Sequence, residues 1–223
     1  MKVLAFDSET TGLPDFGQPS EAPQQPHMVE IAWIPYDTET KDRGPGVRHL
    51  IKPEGWIIPP EMTAIHGISH EQAMDEGIRE AEALDQFVYA VTRTDMRIAH
   101  NAAFDDRIIR IAYARYRTKD EADVYKARPS ACTARLSTPL VKAPPTEKMI
   151  AAGRHHFKTA NLTEALLYFT GRSHTGAHSA AADAEACLDC WIAIQAGGKR
   201  FEILPPAAPS AEDPAPDAAD TAA

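Results

Sequence analysis

The order in which two kinds of apolar periodicity follow one another constrains the fold of this chain more than any other feature. Residues 2–7 and 27–36 are short apolar runs with β-branched and aromatic content, and residues 48–51 form a third such run, so each reads as a strand. Beyond residue 59 the spacing changes. Ser69 with Gln72 three residues on opens a short helix before Gly77, and residues 78–93 carry apolar side chains near helical spacing. Residues 96–99 then read as a short buried strand that feeds a helix over about 103–117. Further helices are expected at about 133–141, at 162–170 behind an Asn161 cap, and at about 179–196, where Gly197-Gly198 ends the run. Three strands followed by alternating helices and strands predict an α/β fold that starts antiparallel.

Other segments resist regular structure. A loop from Leu13 to Pro26 holds four prolines, too long for a tight hairpin. Residues 143–158, with Pro144-Pro145 and Arg154-His155-His156, read as an irregular basic loop. The Ala/Pro/acidic stretch from Pro205 onward offers almost nothing to bury. We therefore expect one domain over residues 1–200 and a disordered tail over 201–223.

Three cysteines, Cys132, Cys187 and Cys190, give a single C-x-x-C pair inside an alanine-rich helical stretch. That favours buried thiols in a reducing compartment over a zinc site or a redox motif. The first residues are too short in apolar character for a signal peptide, and no run approaches the roughly 18 apolar residues of a membrane span. A soluble, cytoplasmic protein is expected, with no membrane partner.

The net charge of -9 argues against a nucleic-acid partner only until its distribution is considered. Residues 107–172 carry 13 Lys/Arg against 5 Asp/Glu, whereas residues 1–106 carry 8 against 19. Carboxylates that hold a metal cease to repel phosphate, so the acidic half does not exclude a polynucleotide.

The acids that carry chemistry sit at defined places. Asp7 and Glu9 are two residues apart at the end of the first strand, which points both to one face. A hard divalent cation is the usual compensation for such a pair. Alone, the fragment could equally be a solvated strand end before a Thr-Thr-Gly turn. Asp105 lies in HNAAFDD where a strand meets a helix; an acid there also suits the helix dipole. Asp183 shares a helix face with Cys187, Trp191 and Ile194, so it points inward and calls for a cation, a metal or a raised pKa. His178 precedes that helix by one residue, with Ser179 as its expected cap.

Taken together, DSETTGL, HNAAFD and HSAAAD, in that order and at these separations, resemble the three motifs of the DEDD exonuclease superfamily. Within it the chain resembles the DnaQ-like, histidine-type (DEDDh) branch, since a tyrosine-type member would place Tyr at position 179, where this chain has Ser. The resemblance spans about residues 2–196, with TAIHGIS and NLTEALLYFTGR as supporting segments. It implies an RNase H-like fold, a central mixed five-stranded sheet flanked by helices. It implies metal ligands Asp7, Glu9, Asp105 and Asp183 for two Mg²⁺ or Mn²⁺ ions and His178 as general base. It also places a terminal nucleotide against Thr10, Thr11, Gly12, Leu13, Ile65, His66, Asn101 and Phe104, although Leu13, Ile65 and Phe104 read equally well as core.

The implied activity is 3′-5′ removal of nucleotides from single-stranded or frayed DNA by two-metal-ion phosphodiester hydrolysis, of the proofreading or repair type, with a polymerase as a possible partner. An exoribonuclease of the oligoribonuclease or RNase T kind, and an inactive docking module, are the alternatives. Arg107, Arg110, Arg128, Lys142, Arg154 and Lys158 are candidate tracks for the substrate backbone.

Overall fold

The computed structural model describes residues 1–201; the expected tail lies outside the described residues from 202 on. Five strands, β1 (Lys2–Thr10), β2 (Met28–Asp37), β3 (Val47–Leu50), β4 (Met96–Ala99) and β5 (Ser130–Cys132), form one mixed sheet in the order β3-β2-β1-β4-β5. β1 and β3 run antiparallel to β2, whereas β4 runs parallel to β1 and β5. The described helices are α1 (Pro60–His66), α2 (His70–Glu76), α3 (Glu80–Thr92), α4 (Ala102–Tyr116), α5 (Lys119–Ala127), α6 (Thr133–Val141), α7 (Glu147–Ala151), α8 (Leu162–Thr170) and α9 (Ala180–Gln195). This is the α/β architecture expected of an RNase H-like domain.

The period of two along β1 sorts its side chains onto two different cores. Leu4 and Phe6 pack with Leu84 and Phe87 of α3 and with Ile108 and Ile109 of α4. Val3 and Ala5 point the other way, against Cys187, Leu188 and Trp191 of α9. Continuing the alternation, Asp7 and Glu9 belong to the α9 face and Ser8 to the α4 face. β1 pairs with β4 only over Val3–Ala5, so its last residues overhang the end of β4 and border a crevice beyond the carboxyl ends of two parallel strands. Open α/β sheets bind ligands at such places.

Four elements were not anticipated, the first being α1, which starts with Pro60 at its first helical position. α5 is opened by a capping box in which Thr118 Oγ1 accepts the Glu121 N–H and the Glu121 carboxylate accepts the Thr118 N–H. β5 has only three residues, too few for a period to show. Within the stretch expected to be irregular, Thr146 caps the single-turn helix α7.

The proline-rich loop is organised by Gln25, which is buried. Its amide donates to the carbonyls of Asp15 and Pro19 and its Oε1 accepts the Asp15 N–H. Arg107, also buried, bonds the carbonyls of Asp15 and Gln18 from beneath. Among the described residues no helix is long and apolar enough to cross a membrane. All three cysteines are free, with Cys187 and Cys190 buried.

Candidate active site

The overhang of β1, the first turn of α4 and the start of α9 converge on one end of the sheet. Asp7 and Glu9 are half-buried on the α9 face of β1. Asp105, in the first turn of α4, is 2 % exposed, and its Oδ1 accepts both the Ser8 N–H (3.0 Å) and the Ser8 hydroxyl (2.8 Å). Ser8, the residue between the two β1 acids, thereby locks the third acid against the strand while Oδ2 stays outside those bonds. Asp183 approaches from the first turn of α9. Glu9, His178 and Asp183 each offer one ligand atom, all within 4.8 Å of one another. His178 is exposed on the loop before α9, in the left-handed region at φ 68°. Such backbone is uncommon for a residue other than glycine and recurs at functional sites.

These carboxyls bear the marks of charges crowded out of water. Burial first, then Asp105, Asp183, Glu9 and Glu30, raises Asp7 well above the ordinary carboxylate range. Glu9 is pushed up to about 8 by burial and then by Asp183, Glu30 and Asp105. Asp105 also reaches about 8 through burial, against the opposing hydrogen bond from Ser8. Burial raises Asp183 too, opposed by His174 and His178. His174 Nε2 lies 3.0 Å from the buried Asp183 Oδ1, a contact that becomes an ion pair when the ring is protonated but is not aligned as a hydrogen bond. Among the described residues the ligand atoms within mutual reach are those of Glu9, Asp183 and His178, two carboxylates and an imidazole beside the buried acids Asp7 and Asp105, and this donor set fits a divalent cation.

A linkage prediction follows. Glu9 and Asp105 bind protons more tightly in the folded state than in the unfolded chain, where carboxyls titrate at roughly 4. The folded state therefore holds more protons than the unfolded state across that window. These groups should lower the melting temperature of the chelated protein as pH rises from roughly 4 to about 8. Saturating Mn²⁺ should offset the loss, so the metal-induced rise measured by scanning fluorimetry should be larger at pH 8 than at pH 6. A rise independent of pH would contradict the linkage.

The proposed substrate contacts lie at the rim of the same end. Leu13 is 85 % exposed and Ile65 50 % exposed, so neither is core; Phe104 is half-buried against the α3/α4 core. Thr10 is buried and its hydroxyl donates to the Gly12 carbonyl, while Thr11 Oγ1 accepts the His27 N–H. Both threonines shape the turn that presents Gly12 and Leu13. Asn101 is exposed in the left-handed region at the start of α4. His66 is buried at the end of α1. Its Nδ1 accepts the Ile68 N–H, which puts the proton of the neutral ring on Nε2, a buried atom without a partner. Burial and then nearby His178 lower its pKa and keep the ring neutral.

Most of the expected basic track has other duties. Arg107 holds the proline-rich loop, Arg128 bonds the carbonyls of Val91 and Thr94, Arg110 bonds the Asp106 carbonyl and Lys158 pairs with Glu164. Only Lys142 and Arg154 of the six are exposed. Asp106, the neighbour of Asp105, pairs with Arg97 and accepts the Tyr125 hydroxyl, so it faces away from the cluster. Ser179 occupies the cap position of α9 but its side chain caps nothing. Sequence reasoning missed Glu30, which is fully buried and accepts the Ala180 N–H at 2.6 Å. Its signal was a lone acid inside the apolar run MVEIAW.

A family model described as exonuclease, of the RNase T type, matches residues 4–190. No curated protein matches the chain. Solved structures with the same fold include E. coli exonuclease I in a zinc-bound complex with single-stranded DNA, at 20 % identity and a TM-score of 0.62, covering 86 % of this chain and 40 % of that one. A product-bound exonuclease I, at 19 % identity and TM-score 0.62, covers 87 % and 43 %. A complex of E. coli exonuclease I with a dT13 oligonucleotide, at 18 % identity and TM-score 0.60, covers 86 % and 40 %. This chain thus spans about two fifths of the length of those proteins. With the family model spanning nearly the whole described region and the fold in agreement, the chain belongs to the RNase T exonuclease family, the DEDDh, DnaQ-like branch of the RNase H-like superfamily, whose members are metal-dependent nucleases.

Proposed function

We propose that this protein removes nucleotides from the 3′ end of single-stranded or frayed DNA, with Asp7, Glu9, Asp105 and Asp183 as ligands for two Mg²⁺ or Mn²⁺ ions and His178 as general base. The convergence of these side chains from β1, α4 and the α9 loop on one crevice carries the reading. DNA is favoured because the E. coli exonuclease I structures that share the fold are complexes with single-stranded DNA and with dT13 and dA16 oligonucleotides.

The ions, when bound, supply neutralisation of the four acids and electrophilic activation of the scissile phosphate. The chain's own groups do the rest. Asp7 and Glu9 from β1, with Asp105 and Asp183 from the two helices, would hold the ions. Ser8 keeps Asp105 oriented through its two hydrogen bonds. His178, on its strained loop, takes a proton as the attacking water forms its bond to phosphorus. The bond from phosphorus to the 3′ oxygen of the preceding nucleotide breaks, and that oxygen leaves with a proton from solvent. A nucleoside 5′-monophosphate and a chain shortened by one residue result.

Exposed Leu13 and Ile65 stand where they can wedge against a frayed end or stack on its terminal base, contacts that tolerate every base. The Nε2–H of neutral His66 offers a donor to the terminal nucleotide. Thr10, Thr11, Gly12, Asn101 and Phe104 complete the proposed cradle. Proofreading or repair, with or without a polymerase partner, is the biological setting this activity suits.

Matched 5′-labelled DNA and RNA oligonucleotides incubated with Mg²⁺ or Mn²⁺ test the substrate. The expected result is a ladder shortening from the 3′ end, faster on DNA and abolished by chelation. A faster RNA ladder would make the enzyme an exoribonuclease. No cleavage of either with any metal would leave a docking module.

A further inference from the structure

Glu30 is the one acid of the run MVEIAW in β2, with no exposed surface, and it sits directly opposite Glu9 in the antiparallel register. Placing a fifth carboxylate beside the cluster of Asp7, Glu9, Asp105 and Asp183 is unfavourable unless its oxygens are engaged. They are. Glu30 Oε1 pairs with Arg48 of β3, and Oε2 accepts the backbone N–H of Ala180 at 2.6 Å.

Ala180 is the first residue of α9, where backbone N–H groups have no partner within the helix. Ser179 stands at the cap position and its side chain makes no cap hydrogen bond, so the strand supplies the acceptor that the local sequence does not. The Glu30–Arg48 ion pair joins a buried carboxylate to a guanidinium that is 46 % exposed, and such a pair adds little stability over apolar side chains of similar volume. What an apolar residue would lack is an oxygen fixed in direction. The N–H it holds lies two residues after His178 and three before Asp183, so the bond anchors the start of α9 between the two groups, beyond the packing of Cys187, Leu188 and Trp191 on β1.

We infer that Glu30 is a positioning residue that ties the start of α9 to β2 and thereby holds His178 and Asp183 in register with Asp7 and Glu9. The inference rests on the nuclease reading of the site.

Two substitutions remove the bond from opposite sides. Glu30→Leu deletes the acceptor. Ala180→Pro deletes the donor; proline is tolerated at a first helical position, and Ser179 already has the extended backbone (φ -116°, ψ 122°) that suits a residue before proline. Glu30→Gln keeps an oxygen acceptor. For each, Mn²⁺ affinity is measured by calorimetry, kcat and KM on one DNA oligonucleotide by quenched digestion, and folding by circular dichroism.

Both disrupting variants should bind Mn²⁺ and turn over about 10- to 100-fold less well, with KM nearly unchanged, as expected for a group that orients ligands. Glu30→Gln should stay close to wild type. Should Glu30→Leu fail to fold, Ala180→Pro carries the test alone. A folded Ala180→Pro protein with wild-type Mn²⁺ affinity and kcat would overturn the inference. So would Glu30→Gln as impaired as Glu30→Leu, because the charge and not the acceptor would then matter. Wild-type protein that neither binds Mn²⁺ nor cleaves would remove the nuclease reading and this inference together, whereas cleavage by wild type and by all three variants alike would remove the role of Glu30 alone.

Discussion

Asp7→Asn is expected to abolish cleavage while raising the melting temperature of the chelated protein. Asp7 is half-buried within a field of four other carboxyls, and burial followed by Asp105, Asp183, Glu9 and Glu30 already disfavours its charge. An isosteric neutral amide removes one member of that repulsion, so the metal-free fold gains. For a chain of this size each kcal/mol relieved raises the midpoint by about 2–4 °C. On the proposed reading metal binding loses a ligand, and with it several kcal/mol of transition-state stabilisation, a fall of roughly 10³-fold or more in turnover. The same variant should lose the Mn²⁺-induced stabilisation. Higher stability with lost function marks a site whose strain serves chemistry. Asp7→Asn protein that is less stable without metal, yet still active, would contradict this account.

His178→Asn should behave differently. Asparagine tolerates the left-handed backbone at φ 68° better than most residues, so the loop before α9 is expected to keep its shape. The side chain is exposed, and stability should change by no more than about 0.5 kcal/mol. Loss of the base should cost about 10²–10⁴-fold in kcat. Mn²⁺ affinity is the discriminating readout, because His178 also lies within ligand reach of Glu9 and Asp183. Affinity unchanged with kcat lowered fits a proton acceptor. A parallel loss of affinity would make His178 a ligand, and full activity would remove it from the chemistry.

The contrast between these variants reflects what could be read from residue order. The two-residue spacing of Asp7 and Glu9 needed only a strand to place both on one face, and the helix stripe of Asp183, Cys187 and Trp191 needed only a helix. Local geometry decides such placements. The roles of the arginines were not legible, because a guanidinium beneath a loop and one facing solvent have the same sequence signature. Arg107 and Arg128 proved to bond backbone carbonyls of distant segments. α5 carried a readable capping box at Thr118 and Glu121, whereas the three residues of β5 showed no period and depend on β4 for their pairing. Glu30 escaped notice for the same reason as the arginines: its partner, Ala180, lies 150 residues away.

Crystals soaked in Mn²⁺ and measured for anomalous scattering give the most direct test that the acidic crevice is a two-metal centre. Two peaks roughly 3.5–4 Å apart, both within coordination distance of Asp7 and shared among Glu9, Asp105 and Asp183, are the expected result. Peaks confined to surface acids, with none at Asp7, would contradict it.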